Sequence, residues 1–379
     1  MGARDQTGLF VTHRVVLGWL IALVACKPTT AERHTASRRG TGFDTSLNAF
    51  DTSLNACTTS PRSQRYVVLS ADTNDMAYAA FLPLTTYVWA QKHGVKPIVV
   101  LVAQTPVSAQ ADYVATWVVR AGGLVRFVTP GDGGDSRTMS QVVRLAAFSL
   151  GVARGNDVLI TADADIWPLS SSYWKRLLDT EDDVMIANGD FFWQQRGTTN
   201  RIAISYVAAK ACLWKRIVTH GLSQDAATAD ATGWNSWARN ARRALGARPP
   251  RGATSRVAGC VASAILERGA TRFGSRWHND ALEKERSVRW SWDQVFLTKS
   301  VLSLNETARL RTTFGRGLSA GRLDRIGWTF GGDAEAHTDA HLPHVDIAGG
   351  EWGPVLSLWE AMFPGRAGWA EDYAKQFPT

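Results

Sequence analysis

The chain has 379 residues, 45% of them hydrophobic and 20% charged, which is enough apolar material for a sizeable core. Four cysteines in this length, none in a C-x-x-C arrangement, exclude a disulfide scaffold and a zinc or redox motif of that type. The net charge of +8 is concentrated in residues 239–286, with eleven Lys or Arg against four Asp or Glu. No helix-turn-helix, zinc-finger or ribonucleoprotein pattern accompanies that stretch, so it reads as a solvated surface segment and nucleic acid is not expected as a partner. Most of the sixteen Trp are assigned to the core.

The first element is VVLGWLIALVAC at 15–26, between Arg14 and Lys27. Twelve apolar residues are short for a spanning helix, which needs about 20. The run suits a signal peptide or a short signal anchor, and Leu23-Val24-Ala25-Cys26 also has the form of a bacterial lipobox. The chain is therefore expected to be membrane-anchored, most simply as a single-pass type II protein facing the Golgi or ER lumen. A secreted form and a bacterial lipoprotein are the alternatives. Cys57, Cys212 and Cys260 then remain, with room for at most one disulfide among them. Residues 27–64 are polar, carry FDTSLNA twice in succession, and read as a disordered stem.

From Arg65 onward the pattern is globular, and 65–379 is expected to be one catalytic domain. YVVLS (66–70) predicts a strand, Asp72–Asp75 a turn, and 76–92 a helix with Pro83 as a kink. PIVVLVA (97–103) predicts a strand, 109–121 a helix, LVRFVT (124–129) a strand, 139–151 a helix, and VLITA (158–162) a strand. Near-continuous apolar strands alternating with helices predict an α/β domain: an αβα sandwich around a mainly parallel sheet. Ligands gather beyond the carboxyl ends of such strands. Two acidic clusters stand there: Asp72 to Asp75 with Asn74, and Asp163-Ala164-Asp165. If the second runs on extended, its two carboxylates point the same way. Two hard oxygen ligands suit Mg²⁺ or Mn²⁺.

VLITADADIWPLS (158–170) resembles the metal-binding motif of GT-A fold, nucleotide-sugar-dependent glycosyltransferases, the retaining, glycogenin-like type most of all. YVVLSADTND is similar to the first strand and nucleotide-contacting loop of that family. Ser140–Arg144 sits on the helix before the motif, where retaining members carry a donor-contacting Arg. Trp292-Asp293-Gln294 resembles their Asp-Gln element near the sugar. Asp339–His344 lies late in the chain, where many members supply a His as third metal ligand. The resemblance covers roughly 66–350. It implies a donor of the nucleoside-diphosphate-sugar class and a glycan, protein or lipid acceptor. It also implies Mn²⁺ or Mg²⁺ on Asp163, Asp165 and His341 or His344. Asp72, Asn74, Arg144, Asp163 and Asn188 are its donor-contacting positions. Asp293, Gln294 and Asp190 are its catalytic candidates, and Trp193 is a further sugar-contacting one.

Residues 184–219 predict a strand, a polar edge and a helix, and 239–258 a basic mobile loop. Asn305-Glu306-Thr307 is an N-glycosylation acceptor sequence, usable only in a secretory lumen. A nucleotidyltransferase of similar build is disfavoured, because the loop ADTND lacks the Gly-rich, basic character of that class. A catalytically inactive domain that binds glycans or partners is the non-enzymatic alternative.

Overall fold

The computed structural model describes residues 57, 63–104, 106–130, 135–179, 181–189, 201–223, 254–273, 291–315, 321–325, 330, 332–343 and 350–377. The N-terminal apolar run, the duplicated stem, Asp190, Trp193, His344 and residues 239–253 lie outside them. Among the described residues no helix is long and apolar enough to cross a membrane.

The chain begins with β1 (Arg65–Asp72), then α1 (Met76–Ala79), α2 (Leu82–Tyr87) and a π-turn at Val88–Lys92. β2 (Lys96–Val102), α3 (Ala109–Arg120), β3 (Leu124–Val128) and α4 (Ser136–Val143) follow, α4 tightening into a 3-10 turn at Arg144–Ser149. Next come β4 (Val158–Thr161), β5 (Ile166–Pro168), α5 (Ser171–Leu178), β6 (Val184–Ile186), β7 (Val207–Lys210) and α6 (Ala211–Ser223). The last part holds α7 (Thr254–Phe273), α8 (Trp292–Ala308), β8 (Thr312–Phe314), β9 (Arg322–Leu323), β10 (Asp339–His341), α9 (Gly353–Met362) and α10 (Ala367–Gln376).

β1 to β4 and β6 fall where the apolar runs predicted strands, whereas β5 and β7 to β10 were not predicted. The helix expected over 76–92 is instead broken into three pieces. Asp75 caps α1 by accepting from Ala77 N, and Pro83 occupies the first turn of α2, where its missing N–H is not needed. The helix expected over 139–151 starts three residues earlier, because Asp135 caps it through the N–H groups of Arg137 and Thr138. The basic loop expected over 239–258 gives way to helix at Thr254.

The main sheet has seven strands in the order β3-β2-β1-β4-β7-β6-β8. All run one way except β7, which is antiparallel to both β4 and β6. The expected α/β class with a mainly parallel sheet is what the chain adopts. Side chains alternate between two cores. Val68, Ile98, Val100 and Val102 face α4, α6, α7 and α8, while Val67, Leu69, Val99 and Leu101 face the layer of α3 and α5. The chain winds outward through β1, β2 and β3 and then returns to β4 on the other side of β1. That reversal leaves a crevice beyond the carboxyl ends of β1 and β4.

A second sheet, β5-β10-β9, lies after that crevice. β10 runs antiparallel to β5 with His341 opposite Ile166 and Ala340 opposite Trp167. Ile166, Trp167 and Leu169 are buried, so the apolar segment after the acidic pair re-enters the core. Trp167 donates to Thr85 Oγ1 at 2.9 Å. α9 and α10 close this end with Trp352, Trp359 and Tyr373 packed over Phe81, Trp117 and Trp167. Most of the described Trp side chains are buried, as their core assignment requires.

Candidate active site

The end of β1 supplies the first carboxylate. Asp72 Oδ1 accepts from Asn74 N at 2.9 Å, and Oδ2 accepts from Ser136 Oγ at 2.8 Å. Asn74 Nδ2 donates to the same Ser136 Oγ at 3.0 Å. The loop therefore closes as an Asx-type turn and is fastened to the first turn of α4. Burial pushes the Asp72 carboxyl above its ordinary value, although both hydrogen bonds act the other way. Arg137 pairs with Asp75 at 2.7 Å, and Ser70 Oγ donates to Ser140 O at 2.5 Å, so α4 lies fixed along β1.

That placement carries Arg144 under the end of β4. Its guanidinium is buried and forms an ion pair with Asp163 Oδ1. It also donates to Ala162 O at 3.0 Å, to Gln141 O at 3.2 Å and to Asp293 Oδ2 at 3.3 Å. Asp293 belongs to the first turn of α8 and is 2% exposed. Burial drives its carboxyl from 3.8 up to about 6, and the adjacent guanidinium and the Gln294 N–H only partly oppose this. The Arg144 cation is held firm in turn: its burial is outweighed by Asp163 and Asp293. One buried cation thus joins β4, the α4 turn and α8.

Asp165 goes elsewhere. β4 ends at Thr161 and a turn intervenes before β5, so the two carboxylates do not continue as extended strand and are met by different partners. Asp165 Oδ2 lies 3.3 Å from His341 Nε2 and 3.6 Å from Arg325 Nη1. His341 Nδ1 is 3.5 Å from Asp324 Oδ1. β10 delivers His341 because Leu342 N donates to Asp165 O at 2.8 Å, locking the second sheet to the acidic turn. The cationic partners that local sequence lacks are Arg144, 19 positions upstream, and Arg325, just after β9.

Three features of this neighbourhood were not legible in the sequence. Asp339 is fully buried and takes a two-pronged bond from Arg322, at 2.6 and 2.9 Å, which pins β9 to β10. Tyr206 stands at φ 67°, a conformation costly for an aromatic residue. Its N–H reaches Thr161 O at 2.6 Å, holding β7 against the end of β4. Its hydroxyl is buried with no hydrogen-bond partner among the described residues, and burial raises its pKa well above the ordinary value. Arg325 and Asp324 flank the Asp165–His341 pair. In each case the signal is a contact between distant segments, and no spacing rule encodes it.

Asn188 is buried just after β6, where Gly189 and Gly315 pass so closely that their N–H and C=O bond at 3.0 Å. Gln294 is half-buried beside Asp293. Asp190 and His344 lie outside the described residues. Among the described residues, no three His, Cys, Asp or Glu side chains stand close enough together to hold a metal ion. Asp165 and His341 do converge, and a carboxylate oxygen with an imidazole nitrogen is a donor set that Mn²⁺ accepts.

No protein-family model matches the sequence, and no curated protein does. Solved structures to which the chain is similar include GT-A-type glycosyltransferases. One is the galactosyltransferase LgtC in complex with donor and acceptor sugar analogs, at 12% identity and a TM-score of 0.39, over 81% of this chain and 99% of that one. Mouse xyloside xylosyltransferase 1 is 8% identical with a TM-score of 0.31, over 73% and 97%. The mannosyltransferase PcManGT of Pyrobaculum calidifontis, in complex with GDP-Man and Mn²⁺, is 10% identical with a TM-score of 0.29, over 69% and 94%.

Proposed function

We propose that the chain is a metal-dependent glycosyltransferase that moves a sugar from a nucleoside-diphosphate-sugar donor to a glycan, protein or lipid acceptor. The observation that carries this reading is the crevice at the carboxyl ends of β1 and β4. There, Arg144 joins Asp163 to Asp293 while Asp165 faces His341. Asp165 and His341 would hold the Mn²⁺ or Mg²⁺, which supplies Lewis-acid stabilisation of the leaving diphosphate. Asp72 and Asn74, fastened through Ser136, would set the floor of the nucleoside pocket. Arg144 would act as a fixed cation for the negative charge that gathers as the sugar–oxygen bond breaks. Asp293, ionised above about pH 6, would steady the oxocarbenium-like centre from the other side. Asn188, buried after β6, would contact the donor, and Gln294, next to Asp293, would serve beside it as a catalytic candidate. In this reading the N-terminal apolar run tethers the enzyme to a membrane, facing a lumen.

The test is to incubate the full chain with a panel of nucleotide-sugars and Mn²⁺ and to follow diphosphate release. Release that disappears in Asp165→Ala and on chelation is the expected result. Absence of donor binding at millimolar concentration, with the chain shown to be folded, would overturn the proposal.

A further inference from the structure

Asn305 occupies the last turn of α8 on its exposed face, and Leu302, one turn earlier, is 42% exposed. The opposite face of α8 is buried: Phe296, Leu297, Val301 and Leu304 pack into the core, and Ser300 approaches Gly221 of α6. Its backbone belongs to the helix, the carbonyl accepting from Arg309 N at 2.9 Å, where Arg309 turns the chain out of the helix at φ 50°. No described residue holds its amide. Thr307 is exposed as well, its hydroxyl donating only to Leu304 O at 3.0 Å. Asn305-Glu306-Thr307 is the single Asn-x-Ser/Thr of the whole sequence.

A second observation bears on the compartment. Cys57 and Cys212 are joined by a disulfide, with Cα atoms 6.1 Å apart and 155 residues between them. Such a bond persists in oxidising compartments and is rare where thiols are kept reduced. Together with the apolar run at 15–26, it fits a domain exported to an oxidising compartment, a secretory lumen being one such.

We infer that Asn305 is an N-glycan attachment site. In the transfer step the amide nitrogen Nδ2 bonds to the anomeric carbon of a lipid-diphosphate-linked oligosaccharide. The bond from that carbon to the diphosphate oxygen breaks, the lipid diphosphate leaves with the electron pair, and the amide gives up one proton. The co-substrate is thus a lipid-diphosphate oligosaccharide, delivered by a separate membrane transferase to the nascent chain. Once the chain folds, the sugar projects from the helix end over Leu302 without displacing any packed group. Asn305 is twelve residues along α8 from Asp293, about 18 Å of helix, so the glycan stands clear of the crevice.

Expression of the full chain in a eukaryotic secretory cell tests this. The expected result is one step of electrophoretic mobility released by peptide-N-glycosidase, absent in Asn305→Gln and Thr307→Ala and retained in Thr307→Ser. Peptide mapping under non-reducing conditions reports the Cys57–Cys212 bond in the same samples. A bridged but unshifted chain overturns the assignment. So does a chain with neither bridge nor shift, which has not entered the lumen. A shift that survives Asn305→Gln overturns it too. None of these readouts depends on glycosyltransferase activity.

Discussion

Arg144 is the residue on which the site turns, because its one guanidinium offsets two carboxylates, one of them fully enclosed. Removing a partner from a buried ion pair leaves an uncompensated charge, which costs about 3–5 kcal/mol. Arg144→Ala is expected to lose stability on that scale in urea unfolding and to raise the Asp293 midpoint further above 6. Arg144→Lys keeps the charge but not the fork, and should keep fold while losing activity. Asp293 itself makes the protein sensitive to pH in a defined direction. Its folded pKa, about 6, lies above its unfolded value near 3.8, so the neutral form is the one the fold favours. The stability it contributes is complete below about pH 4 and disappears as pH rises through 6. Urea melts between pH 4 and 7 should show wild type losing on the order of 2–3 kcal/mol relative to Asp293→Asn. Equal slopes for the two proteins would contradict this. Activity should run the opposite way and rise through pH 6, as the carboxylate forms.

At the scale of elements, position is set by close approaches that only glycine allows. α6 and α8 meet where a Cβ on Gly221 would stand 2.0 Å from Ser300 Oγ and 2.8 Å from Phe296 Cζ. Turning the Ser300 hydroxyl aside would break its bond to Phe296 O at 2.7 Å and still leave Ser300 Cβ 2.9 Å from the added methyl. Gly221→Ala should therefore push the helices apart at a cost of about 1–3 kcal/mol. Gly155→Ala, whose Cβ would meet Cys212 Cβ at an ordinary 3.8 Å, is the control and should change the midpoint by less than about 0.5 kcal/mol. Because α8 carries Asp293, the Gly221 variant should lose activity as well as stability. The element boundaries show how far the sequence could be read. Apolar strands buried on both faces were legible because their runs are short, rich in β-branched residues and alternate with helical segments. The pieces of 76–92 were not, because an Asp75 cap and a proline at the start of α2 decide them locally.

For the molecule as a whole, the bridge from Cys57 to Cys212 ties the segment ahead of β1 to the start of α6. This is the end of the sheet away from the crevice, where Gln64 N donates to Asp157 Oδ1 at 2.8 Å just before β4. A closed loop of 155 residues restricts the unfolded chain by about 5 kcal/mol in the chain-entropy picture. Cys57→Ala with Cys212→Ala should lower the urea midpoint accordingly while leaving donor binding intact. A donor affinity that fell in parallel would show the bridge to be coupled to the site.

The sequence by itself determined the α/β class and the acidic pair at the end of β4. Both are local: strand burial reads as continuous apolar runs, and the carboxylates stand where such a strand ends. It also determined that the segment after the pair returns to the core, since Ile166-Trp167-Pro168-Leu169 has nowhere else to go. Only the tertiary structure decided that Asp163 and Asp165 part company. That outcome depends on a turn after Thr161, on Arg144 arriving from α4, and on β10 bringing His341 back across Ile166. Charge pairing in a buried crevice is settled by which segments the sheet order makes neighbours, and no spacing along the chain encodes that order.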